Sequence, residues 1–529
     1  MGEILMFNDE EQKILSYFFT NTTEDVFALI NLPEVVKGTL FARYSRSGKD
    51  LRSLFLSDFF NSQDNEFKNI VGDVKNIDNQ LLAIKKAEEF YDRILGQFGD
   101  DSVAELGGCH IALENISNLA TKFVEDSRIG INPLEKSSRY VYFNEKVNGK
   151  YNYYRDAEIM ASKHSEDYVN AMDFLFDTYS ELMGPMRDYF LKKLPNTENL
   201  SERAFDAVLR AKTCDTIRGL LPASTLTNVG LFGNGRAFEY LLTKMQASNL
   251  DEIKNLGNQT YTELNKVFPS FVKRSKGEFG QAIIDYLKTI KYPSVDGITK
   301  NKKRITLLHY DKDAEIKVLS KIYYLKSGLS LKDAIKIIKQ MPVDEKKKLL
   351  GEYCGVRTNR RHKPFRAFEN TDYTFELVGN FGAYRDLHRH RILTQERQLL
   401  TTHFGYDVPK DLILAGYDKK YKKALDNANK VYLDLTKISK EKAQYCVPFA
   451  YNLRWYVKFN LREAYHLLEL RTIRQGHPDY RKMCQEMYRQ ILKVHPNLLE
   501  PMKFIDLKDY DFERLESEKQ IDKQLQAIK

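Results

Sequence analysis

The chain has 529 residues, of which 42% are hydrophobic and 29% charged, a balance that excludes an intrinsically disordered protein and predicts at least two domains. Its 82 basic and 73 acidic residues leave a formal net charge of +9, which fits a small anionic ligand about as well as nucleic acid. Five cysteines without a CxxC pair argue against a zinc site or a disulfide framework. No window approaches the roughly 18 apolar residues of a membrane span, and no signal segment opens the chain, so we expect a cytoplasmic protein.

The spacing of apolar residues predicts a helix over 9–32 and two further helices over 80–128. Ser102 and Glu105 form the S-x-x-E pattern of a capping box. Alternating β-rich residues then predict strands over 137–143 and 149–157. Helices dominate from 156 to 290, and a proline, turn signals and a basic cluster follow them. This boundary divides the chain into two predicted domains, 1–295 and 305–529.

The second half of the chain repeats part of the first. Three pairs of residues share one offset of 226 positions: Pro222 and Pro448, Asn234 and Asn460, and Arg236 and Arg462. A weaker echo of Glu105 occurs at Glu369. Solenoid repeats have periods of roughly 20–50 residues, so this longer repeat indicates a duplicated domain. Duplicated domains usually pack as an internal pseudo-dimer.

The most basic stretch of the chain lies at 380–406, where Arg385, Arg389, Arg391 and Arg397 lie with His388 and His390 among apolar residues. We predict a strand before it and a helix from Asn380 to Leu400. Helical residues two apart diverge, so Arg389, His390 and Arg391 can surround an anion only at a helix end or between packed subunits. The alternative is a basic helix in solvent or on nucleic acid. His388 and His390 diverge in the same way, and no metal site is expected.

Two further motifs carry polar chemistry. Glu135, Ser137 and Arg139 alternate, which in an extended segment places a carboxylate, a hydroxyl and a guanidinium on one face. The alternative is a turn and a serine-capped strand. The repeated Asn-x-Arg could hold a carbonyl-rich ring or a phosphate, or form a helix-packing salt bridge. The glycine-dense run 230–235 lacks the G-x-G-x-x-G order and excludes a Rossmann or P-loop motif.

Together, Arg-His-Arg, Glu-x-Ser-x-Arg-Tyr and a proline followed by Asn-x-Arg resemble the flavin-dependent thymidylate synthases, over about 35–290 and 310–500. The resemblance implies an α+β fold with two tandem family domains, each an antiparallel sheet flanked by long helices, packed as an internal pseudo-dimer. It implies FAD-dependent reductive methylation of dUMP to dTMP, with methylenetetrahydrofolate as carbon donor and NADPH as reductant. A homodimer of this chain would form a pseudo-tetramer.

The chain divides the family signature between its halves. The first half has Glu135, Ser137 and Arg139, but it reads Glu-Asp-Ser over 125–127, where Arg-His-Arg would stand. The second half has Arg-His-Arg over 389–391, but ERQLLT stands in place of Glu-x-Ser-x-Arg. The losses are complementary, which implies one composite site built from both halves.

Two more family arginines follow the same division. The arginine four residues before the proline is present as Arg218 and replaced by Gln444. The uracil-binding arginine is present as Arg471 and replaced by Met245. Two copies that decayed independently would not be expected to divide the site in this way.

The resemblance assigns roles to residues of both halves. The expected catalytic residues are Arg471, which would stabilise negative charge on uracil, and Ser137. The expected dUMP ligands are Glu135, Ser137, Arg139, Arg218, Arg389 and Arg471. The expected FAD ligands are Ser102, Glu105, Glu135, Arg389, His390, Arg391, Asn460, Arg462 and His466. Two positions depart from the family, Asp386 in place of a glutamine and Asp100 in place of a histidine.

Two other functions remain open at this point. The first is a non-catalytic descendant of the same fold that binds a nucleotide or nucleic acid, although the resemblance makes nucleic acid the less expected partner. The second is a flavin enzyme that methylates another pyrimidine. The first would give a colourless protein with salt-sensitive binding to RNA or DNA.

Overall fold

The chain folds as a mixed α/β protein with small antiparallel sheets and many helices, as seen in a computed structural model. It describes residues 7–32, 34–44, 47–60, 104–194, 200–293, 297, 299 and 303–528. Ser102 and Asp100 lie outside the described residues. In the part of the chain that is described, no helix is both long and apolar enough to span a bilayer.

Two compact units make up the chain, and each combines segments that are distant in sequence. The first unit consists of Met1–Glu114, Phe123–Glu135 and Asn228–Ser294. The second unit consists of Asn115–Lys122, Lys136–Thr227 and Val295–Lys529. The two units are groups of residues that pack more closely with one another than with the rest of the chain. The predicted domains 1–295 and 305–529 were defined differently, by the repeat of sequence motifs, and they stay a prediction.

The described strands are numbered in chain order. They are β1 Gly108–Ser117, β2 Ile131–Glu135, β3 Lys146–Val147, β4 Lys150–Tyr151, β5 Leu226–Asn234, β6 Ile305–Tyr310, β7 Asp372–Asn380, β8 Thr394–Arg397 and β9 Asn452–Asn460.

The described α-helices are numbered in the same way. They are α1 Asp9–Phe18, α2 Glu34–Tyr44, α3 Leu51–Leu54, α4 Asn118–Glu125, α5 Ala157–Ala161, α6 Ser165–Lys193, α7 Glu202–Ile217, α8 Gly235–Gln246, α9 Asp251–Val267, α10 Pro269–Val272, α11 Glu278–Thr289, α12 Ala314–Ser327, α13 Leu331–Gln340, α14 Val343–Cys354, α15 Phe381–Leu387, α16 Lys410–Leu414, α17 Asp418–Leu435, α18 Lys440–Ala443, α19 Leu461–Arg471, α20 Pro478–Val494, α21 Pro496–Leu499 and α22 Leu515–Ile528. A π-helical segment, Phe55–Phe60, follows α3 directly.

The two strands that lead into Asn-x-Arg, β5 and β9, each lie between two neighbouring strands of a sheet. One sheet has the order β1-β5-β2 and the other the order β6-β7-β9-β8. In the first unit β2 pairs antiparallel with β5, with Ile131 opposite Gly233. In the second unit β7 and β8 both pair antiparallel with β9. Burial alternates along β9, where Trp455, Val457 and Phe459 face the core, as the period of two in a strand requires.

The asparagine of each Asn-x-Arg ends a strand and caps the next helix. The Asn234 side chain accepts a hydrogen bond from the Ala237 backbone N–H at 2.9 Å. Asn460 accepts one from the Glu463 backbone N–H, also at 2.9 Å. Asparagine is a favoured N-cap because its oxygen satisfies an N–H group that has no partner within the helix. The repeat therefore includes a repeated strand-to-helix junction.

Within the second unit, the two repeated segments 219–224 and 445–450 pair with each other. Pro222 and Pro448 form an antiparallel bridge. The Ala223 N–H donates to the Val447 carbonyl at 2.9 Å, and the Phe449 N–H donates to the Leu221 carbonyl at 2.9 Å. Under the 226-residue offset Ala223 corresponds to Phe449, and Leu221 corresponds to Val447. The two hydrogen bonds are therefore equivalent, and the pairing has two-fold symmetry in sequence.

A second reciprocal pair of hydrogen bonds extends this ladder. The Ser224 N–H donates to the Tyr445 carbonyl at 3.1 Å, and the Ala450 N–H donates to the Gly219 carbonyl at 3.0 Å. Ser224 corresponds to Ala450 and Gly219 corresponds to Tyr445 under the same offset, so these two bonds are also equivalent. Such reciprocity is the pattern of an isologous contact.

The second helix predicted within 80–128 is wrong over Gly108–Ser117, which forms β1, and residues 80–103 lie outside the described residues. Of three other predicted elements, two are shorter than the sequence pattern indicated and one is replaced by a turn. The helix predicted over 9–32 ends at Phe18, where the Thr20 N–H donates instead to the Ala28 carbonyl at 3.1 Å. The helix predicted from Asn380 to Leu400 ends at Leu387, because 394–397 forms β8 against β9. The strand predicted over 137–143 is wrong, since Ser138 to Tyr140 form a turn. Pairing and turn contacts override local propensity in all three.

Candidate functional site

Four guanidinium groups in the second unit act electrostatically on one carboxylate, that of Asp386. Burial raises the pKa of this carboxyl, but nearby positive charge outweighs burial and lowers the pKa far below its usual range. The charges belong to Arg218, Arg139, Arg389 and Arg471. The first two come from the first half of the sequence and the last two from the second half. Two predicted nucleotide ligands from each half of the sequence therefore lie within one compact unit, whereas Glu135 belongs to the other unit.

Arg139 is held by a buried carboxylate. Its Nε and Nη2 atoms donate to Asp215 Oδ1 at 2.7 Å and Oδ2 at 2.6 Å, a bidentate pair. Ser137 Oγ accepts from the Arg139 backbone N–H at 3.3 Å, which stabilises the turn. The predicted extended face of Glu135, Ser137 and Arg139 is therefore wrong, since only Glu135 lies in β2. Burial raises the pKa of Asp215, and the Arg139 charge reverses this shift.

Arg218 pairs more loosely with Asp386. Its Nη1 and Nη2 atoms both lie 3.4 Å from one oxygen, Asp386 Oδ2. Arg218 is 4% exposed, so the pair is mostly removed from solvent. The guanidinium lies against Gly382, where a Cβ atom would come within 3.3 Å of Nη2. Glycine at the start of α15 thus allows the close approach of Arg218.

A second polar cluster links Arg471 to the Arg-His-Arg histidine. Arg471 Nε donates to His390 Nε2 at 2.8 Å, and His390 Nδ1 lies 2.8 Å from Glu463 Oε1. The other oxygen of Glu463 lies 3.2 Å from His466 Nδ1. Burial lowers the pKa of His390 to about 4, so its imidazole is neutral at pH 7. Burial raises the pKa of Glu463, but hydrogen bonds from the two histidines bring it to about 2.

The same cluster has a spacing that a metal ion could use, although no metal was predicted. Ligand atoms of His390, Glu463 and His466 lie within 4.8 Å of one another. The hydrogen bonds above account for this spacing without an ion. The Arg471 guanidinium also places a positive charge against His390, which disfavours a cation there.

The Asn-x-Arg arginines pair with equivalent glutamates. In the second unit Arg462 Nη1 donates to Glu369 at 3.0 Å, and its Nε donates to the Pro364 carbonyl at 2.9 Å. In the first unit Arg236 Nη1 donates to Glu105 at 2.8 Å. The salt-bridge interpretation of Asn-x-Arg thus describes both copies.

The remaining predicted residues are distributed between the units. Glu135 is buried in the first unit, where it pairs with Val229 across β2 and β5. Ser137 is half-buried in the second unit. Arg389 and Arg391 are exposed on the turn that follows α15. The Arg-His-Arg motif therefore lies just beyond a helix end, one of the two placements in which it can surround an anion.

Three residues at the site were missed by the sequence interpretation. They are Asp215, Glu463 and His477. His477 Nε2 lies 3.2 Å from the Asp215 carbonyl, and its Nδ1 accepts from the Asp479 N–H at 3.2 Å. Burial lowers the pKa of His477. Asp215 lies three residues before Arg218, and Glu463 lies one residue after Arg462. Acidic residues close in sequence to the family arginines could therefore have indicated two of these three residues.

A cavity of about 500 Å³ in the second unit borders the arginine cluster. Its wall includes Asp215 and Arg218, and lysines 212, 410 and 482 also line it. Asn452 is 1% exposed and lines the cavity, and its buried Oδ1 atom has no hydrogen-bond partner among the described residues. Volumes of roughly 300–1,000 Å³ are usual for small-molecule sites.

Comparison with known proteins gives a consistent set of matches. A family model described as thymidylate synthase complementing protein matches residues 58–270 and 306–497. A UPF0159 protein of Chlamydia pneumoniae is 43% identical over 98% of both chains. Another of Thermoplasma acidophilum is 33% identical over 91% of this chain and 97% of that protein. A flavin-dependent thymidylate synthase of Sulfolobus acidocaldarius is 26% identical over 37% of this chain and 75% of that protein.

Among solved structures, similarity extends to a UMP/dUMP methylase from Streptomyces cacaoi bound with 5-Br dUMP. The identity is 19%, the match covers 37% of this chain and 93% of that chain, and the TM-score is 0.30.

Proposed function

Because this chain belongs to the thymidylate synthase complementing protein family, we propose that it catalyses the FAD-dependent reductive methylation of dUMP to dTMP. Methylenetetrahydrofolate would donate the carbon and NADPH the reducing equivalents. The observation that carries the proposal is that Arg139, Arg218, Arg389 and Arg471 all act electrostatically on Asp386, with Arg218 in direct contact at 3.4 Å. Each half of the sequence contributes the family arginines that the other half lacks. A site of this kind needs both halves.

The proposal includes a tandem duplication, with family domains 1–295 and 305–529 packed as an internal pseudo-dimer. The reciprocal hydrogen bonds between 219–224 and 445–450 support it, because equivalent residues meet across a two-fold contact. The shared strand orders β1-β5-β2 and β7-β9-β8 also support it. A homodimer of the chain would then be a pseudo-tetramer.

In the proposed site the phosphate of dUMP binds the first-half residues. Arg139 and Arg218 supply guanidinium groups, and Ser137 supplies a hydroxyl, close to the phosphate and sugar. Glu135 and Arg389 complete the proposed nucleotide ligands. Arg471 stabilises negative charge that develops on the uracil edge, so that its C5 becomes nucleophilic without a covalent enzyme nucleophile.

Asp386 reduces the positive charge of this site. Arg218 touches one oxygen of Asp386 at 3.4 Å, whereas Arg139 binds both oxygens of Asp215 at 2.6 and 2.7 Å. The looser pair is the one that can exchange partners. We infer that Arg218 turns from Asp386 to the substrate phosphate, while Arg139 stays fixed by Asp215.

The proposed FAD site includes the exposed turn that carries the Arg-His-Arg motif. Arg389 and Arg391 are exposed cations on one turn, which suits the diphosphate of a dinucleotide. Asn460, Arg462 and half-exposed His466 are the other proposed ligands in the second unit, and Ser102, Glu105 and Glu135 are proposed from the first half. His390, which the resemblance also assigns to FAD, is left out of the proposal because Arg471 and Glu463 occupy its two ring nitrogens. When bound, the flavin supplies the hydride, and the protein supplies placement and charge.

Two measurements test the function. The purified protein should show flavin absorbance at one FAD per chain, and it should release tritium from 5-labelled dUMP only when methylenetetrahydrofolate and NADPH are present. Arg471→Ala and Arg389→Ala should each lower this release, while Arg489→Ala, a half-exposed arginine paired with Glu486 on α20, should not. A colourless protein with steeply salt-dependent binding to RNA or DNA would instead support the non-catalytic alternative.

A further inference from the structure

We propose that Glu463 and His390 are positioning residues that orient Arg471 towards the uracil ring. The inference rests on the proposed function, in which Arg471 contacts uracil. It assigns a role to Glu463, and it gives His390 a role that acts through Arg471 instead of through the flavin.

The hydrogen bonds fix the proton positions in this cluster. The Nε of an arginine can only donate, so His390 Nε2, at 2.8 Å from Arg471 Nε, must accept. The proton of the neutral imidazole is therefore on Nδ1, which donates to Glu463 Oε1 at 2.8 Å. Both ring nitrogens are then occupied. No nitrogen of His390 is left to bind a flavin.

The geometry makes His390 a bridge along one helix. Glu463 and Arg471 belong to α19 and are eight residues apart, which is about 12 Å along the helix axis. They are too far apart for direct contact between a carboxylate and Nε at hydrogen-bond distance. His390, which is 4% exposed, spans the gap. Glu463 thus acts on Arg471 only by holding the imidazole in one tautomer and one orientation.

The arrangement leaves the two terminal nitrogens of Arg471 for a ligand. Within the described chain, Nε is the one donor of Arg471 that has a hydrogen-bond partner. The guanidinium also lies 5.6 Å from the Tyr480 ring centroid. A guanidinium anchored at Nε presents Nη1 and Nη2 as a fork, which suits a carbonyl oxygen flanked by a ring nitrogen.

The test compares two ligands that differ only by the base. The dissociation constants of dUMP and of 2-deoxyribose 5-phosphate are measured with the FAD-loaded full-length protein. Glu463→Gln should weaken dUMP binding roughly tenfold, the scale of one charge-assisted hydrogen bond, and leave 2-deoxyribose 5-phosphate unchanged. In an Arg471→Ala background the same change should have no further effect, because the residues act as a unit.

Two variants of His390 give an independent measurement. His390→Leu cannot accept from Arg471 and should lose the preference for dUMP. His390→Gln can accept from Arg471 and donate to Glu463, so it should retain most of that preference. Glu469→Gln is the matched control, since Glu469 is a buried glutamate on α19 that pairs with Arg357. It should not change the ratio of the two affinities.

The outcomes separate this inference from the proposed function. Equal weakening of both ligands by Glu463→Gln, or additive loss in the Arg471→Ala background, would overturn the inference and leave the function standing. Loss of flavin absorbance in His390→Leu with an unchanged affinity ratio would make His390 a flavin ligand. A wild-type protein that binds dUMP no better than 2-deoxyribose 5-phosphate would overturn the proposed function, and this inference with it.

Discussion

Helices α8 and α19 correspond by the 226-residue offset, and each follows a central strand that ends in a capping asparagine. Both copies also keep an arginine two residues after the asparagine, paired with an equivalent glutamate. The helix faces then diverge. Glu463, His466 and Arg471 of α19 correspond to Ala237, Tyr240 and Met245 of α8.

This comparison distinguishes scaffold from chemistry. What both copies share is the N-cap and the salt bridge, which stabilise the strand-to-helix junction wherever it occurs. What one copy has alone is a connected polar cluster that ends in Arg471. Under the proposed duplication, the positions that differ between the two copies are therefore the better guide to the site.

The largest expected effect comes from giving position 139 the residue found at the equivalent position of the second half. Glu135 lies opposite Val229 and Arg397 opposite Trp455, which differ by the 226-residue offset, so Thr401 is the counterpart of Arg139. Arg139→Thr leaves Asp215 buried without its bidentate partner. Removing one partner of a buried ion pair costs about 3–5 kcal/mol of unfolding free energy. Denaturant unfolding should show this loss. A change below about 1 kcal/mol would mean that Asp215 finds another cation.

Acid should destabilise the α19 cluster. The pKa of Glu463 is about 2 in the folded chain against 4.5 for an ordinary glutamate. Its contribution, about 3 kcal/mol, is therefore present above pH 4.5 and lost as the pH falls towards 2. The unfolding free energy of Glu463→Gln should fall less steeply over this interval than that of the wild type. Equal slopes would contradict the pKa shift.

Arg471→Met converts the end of α19 to the residue found in α8. The rate of tritium release from labelled dUMP should fall about 100-fold, the usual effect of losing one group that stabilises developing negative charge. The unfolding midpoint should change little, because Arg471 is half-buried and has a hydrogen bond only at Nε among the described residues. Unchanged tritium release would remove Arg471 from the site.

Asp386→Asn tests the carboxylate that faces four arginines. Loss of its charge should strengthen dUMP binding about tenfold, since one negative charge near the phosphate is removed. Deoxyuridine, which lacks the phosphate, serves as the control ligand, and its affinity should stay the same. Calorimetric titration measures both. Weaker dUMP binding would instead place Asp386 in direct contact with the nucleotide.

The smallest effects should be equal in the two copies. Asn234→Ala and Asn460→Ala each remove one N-cap, at a cost of about 1 kcal/mol. Chemical unfolding of both variants measures the two losses side by side. A much larger loss of activity in Asn460→Ala than in Asn234→Ala would show that Asn460 also binds a ligand, as the family resemblance assigns.

Local patterns predicted the Asn-x-Arg repeat but not the strands before it or the partners at the site. Each Asn-x-Arg opens a helix in the structure, whereas the preceding strands β5 and β9 were not predicted. Asp215 lies 76 residues from Arg139, and Glu463 lies 73 residues from His390. No local period links such pairs, because their contact depends on the packing of distant segments.

The same limit explains the errors in the basic stretch. The residue types at 394–397 do not favour a strand. These residues nevertheless pair antiparallel with β9 and form β8. The spacing of Ser137 and Arg139 is typical of a strand. They instead lie at a turn, where Arg139 binds Asp215 and its backbone N–H donates to Ser137 Oγ. In both places a tertiary partner decided the local conformation.

The bridge between Pro222 and Pro448 has a consequence for how the two halves can change. Because proline has no N–H, the ladder is tolerated only where neither residue of the pair must donate, and the flanking bonds from Ala223 and Phe449 meet this condition. A substitution on one side must still suit its own counterpart. Covalent linkage keeps the two counterparts in one chain, so each half always meets the other at a raised effective concentration.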